Sequence, residues 1–211
     1  QPQLYEYLEK NLPDQFAKVE EYVRQGRWEP EGGMWVEADC NLPSGESLIR
    51  QFLMGKQYFQ SKFGIESRIL WLPDVFGYSA ALPQICKKCG IDYFMTTKIS
   101  WNQQDKIPYD TFLWKGIDGT ALLTHFSPAK QYDHVDYNPF GFARSPHITS
   151  YNCELEPDYV IGGWKRYSQK QLNHSYLIAY GYGDGGGGTT RQMIEEGQRM
   201  EQSLPGCPKV V

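Results

Sequence analysis

Two aspartates in this sequence each follow a predicted strand at a point where no helix has yet begun. Asp74 comes after the apolar run 68–72 and Pro73, which ends a strand, and Asp184 comes after Tyr180-Gly181-Tyr182-Gly183. In α/β proteins the carboxyl ends of strands form the rim where ligands bind. Two carboxylates on such a rim suit glycoside hydrolysis, in which one attacks or shields the anomeric carbon and the other protonates the leaving oxygen. A lone aspartate is more often a loop or cap residue, so the rest of the chain has to support this interpretation.

Aromatic residues and further acids accompany these two positions. The aromatic residues near Asp74 are Trp71, Phe76 and Tyr78. Aromatic surface of this kind is what sugars stack on, although it does not prove a sugar site. Glu37 and Asp39 follow another strand-like segment and compete for either catalytic role.

The glycine run 185–188 invites a different interpretation, because glycines before a helix can cradle a phosphate. A phosphate loop needs a Gly-Lys-Ser/Thr ending or spaced glycines, whereas here the glycines are contiguous and Thr189-Thr190-Arg191 follows. The residues alone leave two interpretations of the glycine run open: it is a plain turn, or it lets a ligand approach the backbone closely.

Histidine and cysteine patterns predict no local metal site. The four histidines are dispersed, and the pair Cys86 and Cys89 has no partner pair at zinc-site distance. Two small residues on a helix are the favoured account of that pair. The five cysteines are scattered and odd in number, which favours reduced thiols and a cytoplasmic setting.

Composition excludes several classes of function. The chain has 211 residues, of which 40% are hydrophobic and 22% charged, as expected for a globular core. The net charge of −4 argues against binding to nucleic acid. We also expect no membrane span and no signal segment, because no apolar run approaches about 20 residues and the chain starts Gln-Pro-Gln.

Helical and strand-like patterns alternate along the chain. The predicted helices are 2–10, 14–24, 44–64, 80–88, 157–172 and 190–202. The predicted strands are 28–30, 34–38, 68–72, 92–97, 112–115, 121–126 and 176–180, with Asp118-Gly119 turning a hairpin. This alternation predicts an α/β fold with a mainly parallel sheet and flanking helices. The pattern leaves open whether the sheet belongs to a barrel or is open.

Three motifs resemble those of glycoside hydrolase family 38, the retaining α-mannosidases, and most of all its cytosolic, vacuolar and bacterial branch. The motifs are Trp35-Val36-Glu37-Ala38-Asp39-Cys40-Asn41-Leu42-Pro43-Ser44-Gly45-Glu46-Ser47, Trp71-Leu72-Pro73-Asp74-Val75-Phe76-Gly77-Tyr78-Ser79 and Gly181-Tyr182-Gly183-Asp184-Gly185-Gly186-Gly187-Gly188. The resemblance covers nearly the whole chain and implies a seven-stranded β/α barrel-like catalytic domain with one zinc ion. It also implies hydrolysis of terminal α-D-mannosyl residues from oligosaccharides.

The resemblance further implies roles for individual residues. Asp74 matches the nucleophile, which is also a zinc ligand, and Asp184 lies in the region of the acid/base. Phe76 matches an aromatic residue that flanks the sugar. The residues that match the lining of the mannose site are Asp39, Lys98, Tyr132 and Asp133.

The resemblance also implies other zinc ligands, a His-x-Asp pair upstream of the region that this sequence matches and a histidine downstream of it, so we expect both to lie outside residues 1–211. We therefore expect residues 1–211 to be a central part of one catalytic domain, truncated at both ends. The isolated chain is expected to be inactive and to self-associate, and homo-oligomerisation of the full-length protein is an open alternative. We expect a cytoplasmic location, with the vacuole as the alternative.

Two other functions stay open. One is a non-catalytic carbohydrate-binding or structural α/β domain. The other is a polysaccharide deacetylase-like enzyme, whose His-x-x-x-His pair this sequence lacks.

Overall fold

The computed structural model of the chain describes residues 1–101, 107–128, 150–202 and 204–211. The chain divides into two compact units. The first unit comprises residues 1–96 and 113–125, and the second comprises residues 97–112 and 126–211.

Four helices belong to the first unit, and their ends follow local sequence signals. They are α1 (Pro2–Asn11), α2 (Pro13–Arg24), α3 (Gly45–Phe63) and α4 (Leu82–Lys88). The Ser44 hydroxyl accepts a hydrogen bond from the Ser47 amide at 3.2 Å and so caps α3. Gly64 ends that helix in the left-handed conformation (φ 68°), which glycine adopts without strain.

Four strands form one sheet in the order β1-β2-β4-β3. They are β1 (Ile69–Trp71), β2 (Tyr93–Thr96), β3 (Thr111–Lys115) and β4 (Ala121–Phe126). β1 and β2 are parallel, with Leu70 opposite Phe94, so their carboxyl ends lie at the same edge. The predicted α/β class and the predicted hairpin of β3 and β4 are confirmed.

The core of the first unit lies between this sheet and helices α3 and α4. Its largest fully buried side chains include Phe52, Leu48, Leu70, Leu72 and Leu82. Burying such side chains stabilises a fold by about 1.5–3 kcal/mol each. This packing holds the end of β1 in place, and Asp74 follows that end.

The described residues of the second unit include a 3₁₀ turn at Lys98–Trp101 and the helices α5 (Pro157–Arg166) and α6 (Arg191–Glu201). The Thr190 hydroxyl accepts from the Met193 amide at 3.2 Å and caps α6, which begins one residue after the predicted start at 190. Leu155 and Val160 pack with Met193 and Met200 of α6 to form a small core. This core fixes both flanks of the glycine run.

Three predicted strands are wrong. Residues 28–30, 34–38 and 176–180 form no strand. Isolated bridges occur at Gly32 with Leu70 and at Cys40 with Tyr78, on either side of 34–38, and at Tyr180 with Cys153. Met34 and Ala38 are buried, but the backbone does not run beside a neighbour long enough to build a ladder.

Two predicted helix ends are also displaced. Helix α5 stops at Arg166 instead of continuing towards Leu172, because Ser168 and Gln169 are drawn to the backbone and side chain of Asp110. The Ser168 amide donates to Asp110 Oδ2 at 3.1 Å, and the Asp110 amide donates to Gln169 Oε1 at 3.0 Å. Helix α4 begins at Leu82, two residues after the predicted start at Ala80.

No helix within the described ranges combines the length and apolar character that crossing a membrane requires.

Candidate active site

Asp74 lies in a turn just beyond the carboxyl end of β1. The Leu72 amide still donates to the Met95 carbonyl at 3.1 Å, and Pro73 then ends the pairing. Asp74 is half-buried, and its backbone amide donates to Glu37 Oε1 at 2.9 Å. The sequence left Glu37 as a competitor for a catalytic role, whereas the structure shows that its carboxylate holds the backbone of Asp74.

The loop that follows Asp74 is held against residues 39–41. Cys40 and Tyr78 form a parallel bridge, and the Ser79 amide donates to the Cys40 carbonyl at 3.1 Å. Gly77 has a φ of 149° and faces the Asn41 side chain so closely that a Cβ would lie 2.5 Å from Nδ2. A side chain at this position would have to displace the Asn41 side chain and would be strained at this φ. Between these contacts Phe76 is 77% exposed, and its place beside a sugar stays a prediction.

Tyr78 ties the ends of β1 and β2 together beneath this loop. Its hydroxyl donates to the Leu72 carbonyl at 2.8 Å and lies 2.6 Å from Thr96 Oγ1. Burial raises the pKa of the Tyr78 hydroxyl well above its ordinary value, so the group keeps its proton and remains a donor. The ring also packs edge-on against Phe94, with centroids 4.9 Å apart.

Asp39 is exposed and closes a tight turn of its own. Its Oδ1 accepts from the Asn41 amide at 2.7 Å and from the Leu42 amide at 3.5 Å. This arrangement is an Asx turn, in which the carboxylate substitutes for a backbone acceptor. A contact between Asp39 and substrate stays a prediction.

The glycine run forms a small hydrogen-bonded loop with Asp184 near its tip. Tyr182 and Gly188 exchange two hydrogen bonds of 2.8 Å each, and the Gly186 amide donates to the Gly183 carbonyl at 2.8 Å. Asp184 itself has a φ of 51°, a conformation that aspartate tolerates better than most residues. Its side chain is exposed, and its Oδ1 accepts from the Tyr151 hydroxyl at 3.0 Å.

Lys98 also contacts Tyr151. It opens the 3₁₀ turn after β2, and its Nζ lies 4.0 Å from the centroid of the Trp101 ring and 5.4 Å from that of the Tyr151 ring. The structure therefore brings two of the predicted site residues, Lys98 and Asp184, to the same tyrosine. Sequence reasoning missed Tyr151, and no local pattern around it points to a role.

The predicted residues fall into separate groups. Asp39, Asp74 and Phe76 belong to the first unit, and Lys98 and Asp184 belong to the second. Tyr132 and Asp133 lie outside the described residues.

Zinc in proteins usually has about four ligands. In the parts of the chain that the structure describes, no group of three or more His, Cys, Asp or Glu side chains is arranged to hold a metal. Asp74 supplies one ligand at most, so the described residues do not by themselves fit a zinc site.

The cysteine pair has no features of a redox site. Cys86 is buried in α4 and Cys89 follows that helix. Burial raises the pKa of both thiols, which suppresses the reactive thiolate form. Both cysteines are free; Cys86 lies on the helix, as predicted, whereas Cys89 is the residue just after its end.

Comparison with known proteins places these features in a family. Residues 1–211 match the sequence model described as glycosyl hydrolases family 38 N-terminal domain. Alpha-mannosidase G of Dictyostelium discoideum is 41% identical and human alpha-mannosidase 2C1 is 38% identical, each over 211 residues that make up 100% of this chain and 18% of the relative. The alpha-mannosidase of Saccharomyces cerevisiae is 40% identical over 201 residues, which cover 95% of this chain and 17% of that protein. The chain thus spans less than a fifth of the length of these curated relatives.

A solved structure supports the fold. The crystal structure of an alpha-mannosidase from Enterococcus faecalis V583 superposes with a TM-score of 0.62 at 19% identity, over 96% of this chain and 21% of that one. At this identity the likeness concerns the fold. Because the family's sequence model matches the chain along its entire length, and relatives at 38% to 41% identity do the same, the chain belongs to glycosyl hydrolase family 38.

Proposed function

We propose that the protein carrying this chain hydrolyses terminal α-D-mannosyl residues of oligosaccharides with retention of configuration. The observation that carries the proposal is the setting of Asp74. Its carboxylate follows the carboxyl end of β1, its backbone amide is held by Glu37 at 2.9 Å, and the exposed Phe76 ring lies two residues further on. Similarity to relatives named alpha-mannosidase supplies the substrate class.

In the first step, an Asp74 carboxylate oxygen attacks the anomeric carbon as the bond to the leaving oxygen breaks, and Asp184 gives its proton to that oxygen. In the second step, Asp184 removes a proton from water, the water oxygen attacks the anomeric carbon, and Asp74 is released. Phe76 flanks the sugar ring in this proposal, and Asp39 and Lys98 contact its hydroxyl groups. Tyr132 and Asp133 are proposed to line the same sugar site.

On the basis of the family resemblance, we also propose that Asp74 is one of the ligands of a zinc ion. The described residues do not supply the remaining ligands of such an ion. The five free cysteines support a cytoplasmic location.

The test of the nucleophile uses Asp74→Ala in the full-length protein. We expect kcat to fall by about four orders of magnitude or more, because the covalent step is lost. A fluorinated α-mannosyl fluoride that stalls the covalent intermediate should also label the peptide that contains Asp74, as read by mass spectrometry. Asp14→Ala is the matched control, because it removes an exposed carboxylate in the first turn of α2. Near-normal turnover by folded Asp74→Ala would refute the assignment.

The test of the acid/base uses Asp184→Ala with two substrates. An alkyl α-mannoside needs a proton on its leaving oxygen, whereas a dinitrophenyl α-mannoside does not. We expect kcat/KM to fall by about 10²–10⁴-fold on the first substrate and far less on the second. An equal loss on both substrates would indicate a structural or sugar-binding role for Asp184.

A further inference from the structure

We propose that Tyr151 is the positioning residue for the Asp184 carboxyl group. The inference rests on the proposed role of Asp184 in proton transfer. The Tyr151 hydroxyl donates to Asp184 Oδ1 at 3.0 Å, and this contact orients Oδ2 as the oxygen that exchanges the proton with the leaving group. Tyr151 itself transfers no proton in this proposal.

The Asp184 carboxyl needs such a partner because its own loop does little to orient it. The side chain is exposed, and the four residues that follow are exposed glycines with no side chains to pack against it. A general acid has to lie within about 2.6–3.2 Å of the oxygen that it protonates. The hydrogen bonds between Tyr182 and Gly188 fix the backbone of the loop, but the carboxyl group still rotates about its own torsions.

The backbone around Tyr151 is fixed on both sides. The Ser150 amide donates to the Ser127 carbonyl at 3.0 Å. On the other side, the Cys153 amide donates to the Ala179 carbonyl at 3.1 Å, and the Gly181 amide donates to the Cys153 carbonyl at 2.9 Å. Tyr151 therefore approaches the glycine loop from a segment that is paired with the chain just before that loop.

The Tyr151 ring is held as well. It lies against Gly183 so closely that a Cβ there would be 2.5 Å from Tyr151 Cε2, which explains why glycine precedes Asp184. The Lys98 ammonium lies 5.4 Å from the ring centroid. A cation within about 6 Å of an aromatic face is attracted to it, so Lys98 helps to hold the ring in place.

The experiment compares Tyr151→Phe with Tyr180→Phe in the full-length protein. Both variants remove one phenol hydroxyl and keep the ring. Tyr180 is 39% exposed and pairs through its backbone with Cys153, so it is a matched control from the same part of the unit. We expect Tyr151→Phe to lower kcat/KM about tenfold on the alkyl α-mannoside and less than about twofold on the dinitrophenyl α-mannoside. The tenfold loss is part of the total rate gain of about 10²–10⁴-fold that a general acid contributes. Tyr180→Phe should change neither value.

The double variant separates positioning from a general loss of structure. When Asp184 is already alanine, Tyr151→Phe should cause no further loss on the alkyl substrate, because the group that it orients is gone. Equal losses on both substrates, or a full additional loss in the double variant, would overturn the inference. If Asp184→Ala itself shows no dependence on the leaving group, the proposed role of Asp184 fails first. If Asp184→Ala shows that dependence and Tyr151→Phe does not, only the role of Tyr151 fails.

Discussion

Gly55, in the middle of α3, allows the helix to lie directly against the segment that leads to Glu37. A Cβ at this position would lie 2.3 Å from the Gly33 carbonyl oxygen, 2.6 Å from the Met34 carbonyl carbon and 2.8 Å from the Trp35 nitrogen. All three are backbone atoms that cannot rotate away. Gly55→Ala should therefore destabilise the first unit, although the same change in a helix usually stabilises by about 1 kcal/mol.

The magnitude follows from the contacts that have to lengthen. Two hydrogen bonds join α3 to this segment: the Trp35 amide donates to the Gln51 carbonyl at 2.9 Å, and the Val36 amide donates to Gln51 Oε1 at 3.0 Å. An ordinary contact for the new methyl group requires the helix and the segment to separate by about 1 Å, which disrupts both bonds at about 1 kcal/mol each. Overpacking adds about 1–3 kcal/mol, and the gain in helix propensity offsets part of this. We expect a net loss of about 2 kcal/mol in the free energy of unfolding.

Hydrogen exchange measured by mass spectrometry gives a local assay. A loss of about 2 kcal/mol should speed exchange of the Trp35 and Val36 amides by about 30-fold. Gly45→Ala in the same helix is the matched control, because its Cβ would lie 3.7 Å from Ile85 Cδ1, an ordinary contact. The segment continues to Glu37, whose carboxylate binds the Asp74 amide. We therefore expect Gly55→Ala to lower kcat by a larger factor than it changes KM. Unchanged exchange in Gly55→Ala, or equal effects of the two substitutions, would refute this account of the close approach.

Two further predictions concern pH and metal. Burial lowers the pKa of His125 from 6.5 to about 4, so the folded protein keeps this ring neutral where the unfolded chain protonates it. The contribution of neutral His125 to stability is therefore fully present above about pH 6.5 and is lost as the pH falls towards 4. Over this range the urea midpoint of His125→Gln should fall less steeply with pH than the midpoint of the parent protein. Equal slopes would contradict the prediction. For the isolated 211-residue chain, calorimetry should detect no tight stoichiometric zinc binding, because the described residues hold no group of three ligands. An assay with an aryl α-mannoside should detect no turnover. Tight zinc binding together with turnover would show that the ligands are misassigned.

Local sequence signals determined the helices and the hairpin. The capping serine and the terminal glycine of α3, and the capping threonine of α6, act through hydrogen bonds to residues within a few positions of themselves. The same holds for the turn between β3 and β4, where the Thr120 amide donates to Asp118 Oδ1 at 3.0 Å and Gly119 has a φ of 84°. Interactions of such short range are readable from the order of residues alone.

Tertiary contacts decided which apolar runs become strands and where α5 ends. Residues 34–38 and 176–180 have strand-like composition, yet the first range makes no bridge and the second makes one, at Tyr180. A strand is defined by a partner that lies far away in the chain, and composition does not reveal how long the two remain side by side. Helix α5 likewise stops where Ser168 and Gln169 bind Asp110, about 58 residues earlier in the chain.

For the candidate site, the sequence by itself pointed to Asp74 and Asp184 as candidate carboxylates, because each follows a strand-like run within a motif that resembles a known family. Only the tertiary structure showed what holds them. Glu37 binds the Asp74 amide across 37 residues, and Tyr151 binds the Asp184 carboxyl across 33. No periodicity or spacing encodes these two contacts, since each depends on where the packed core brings distant segments together.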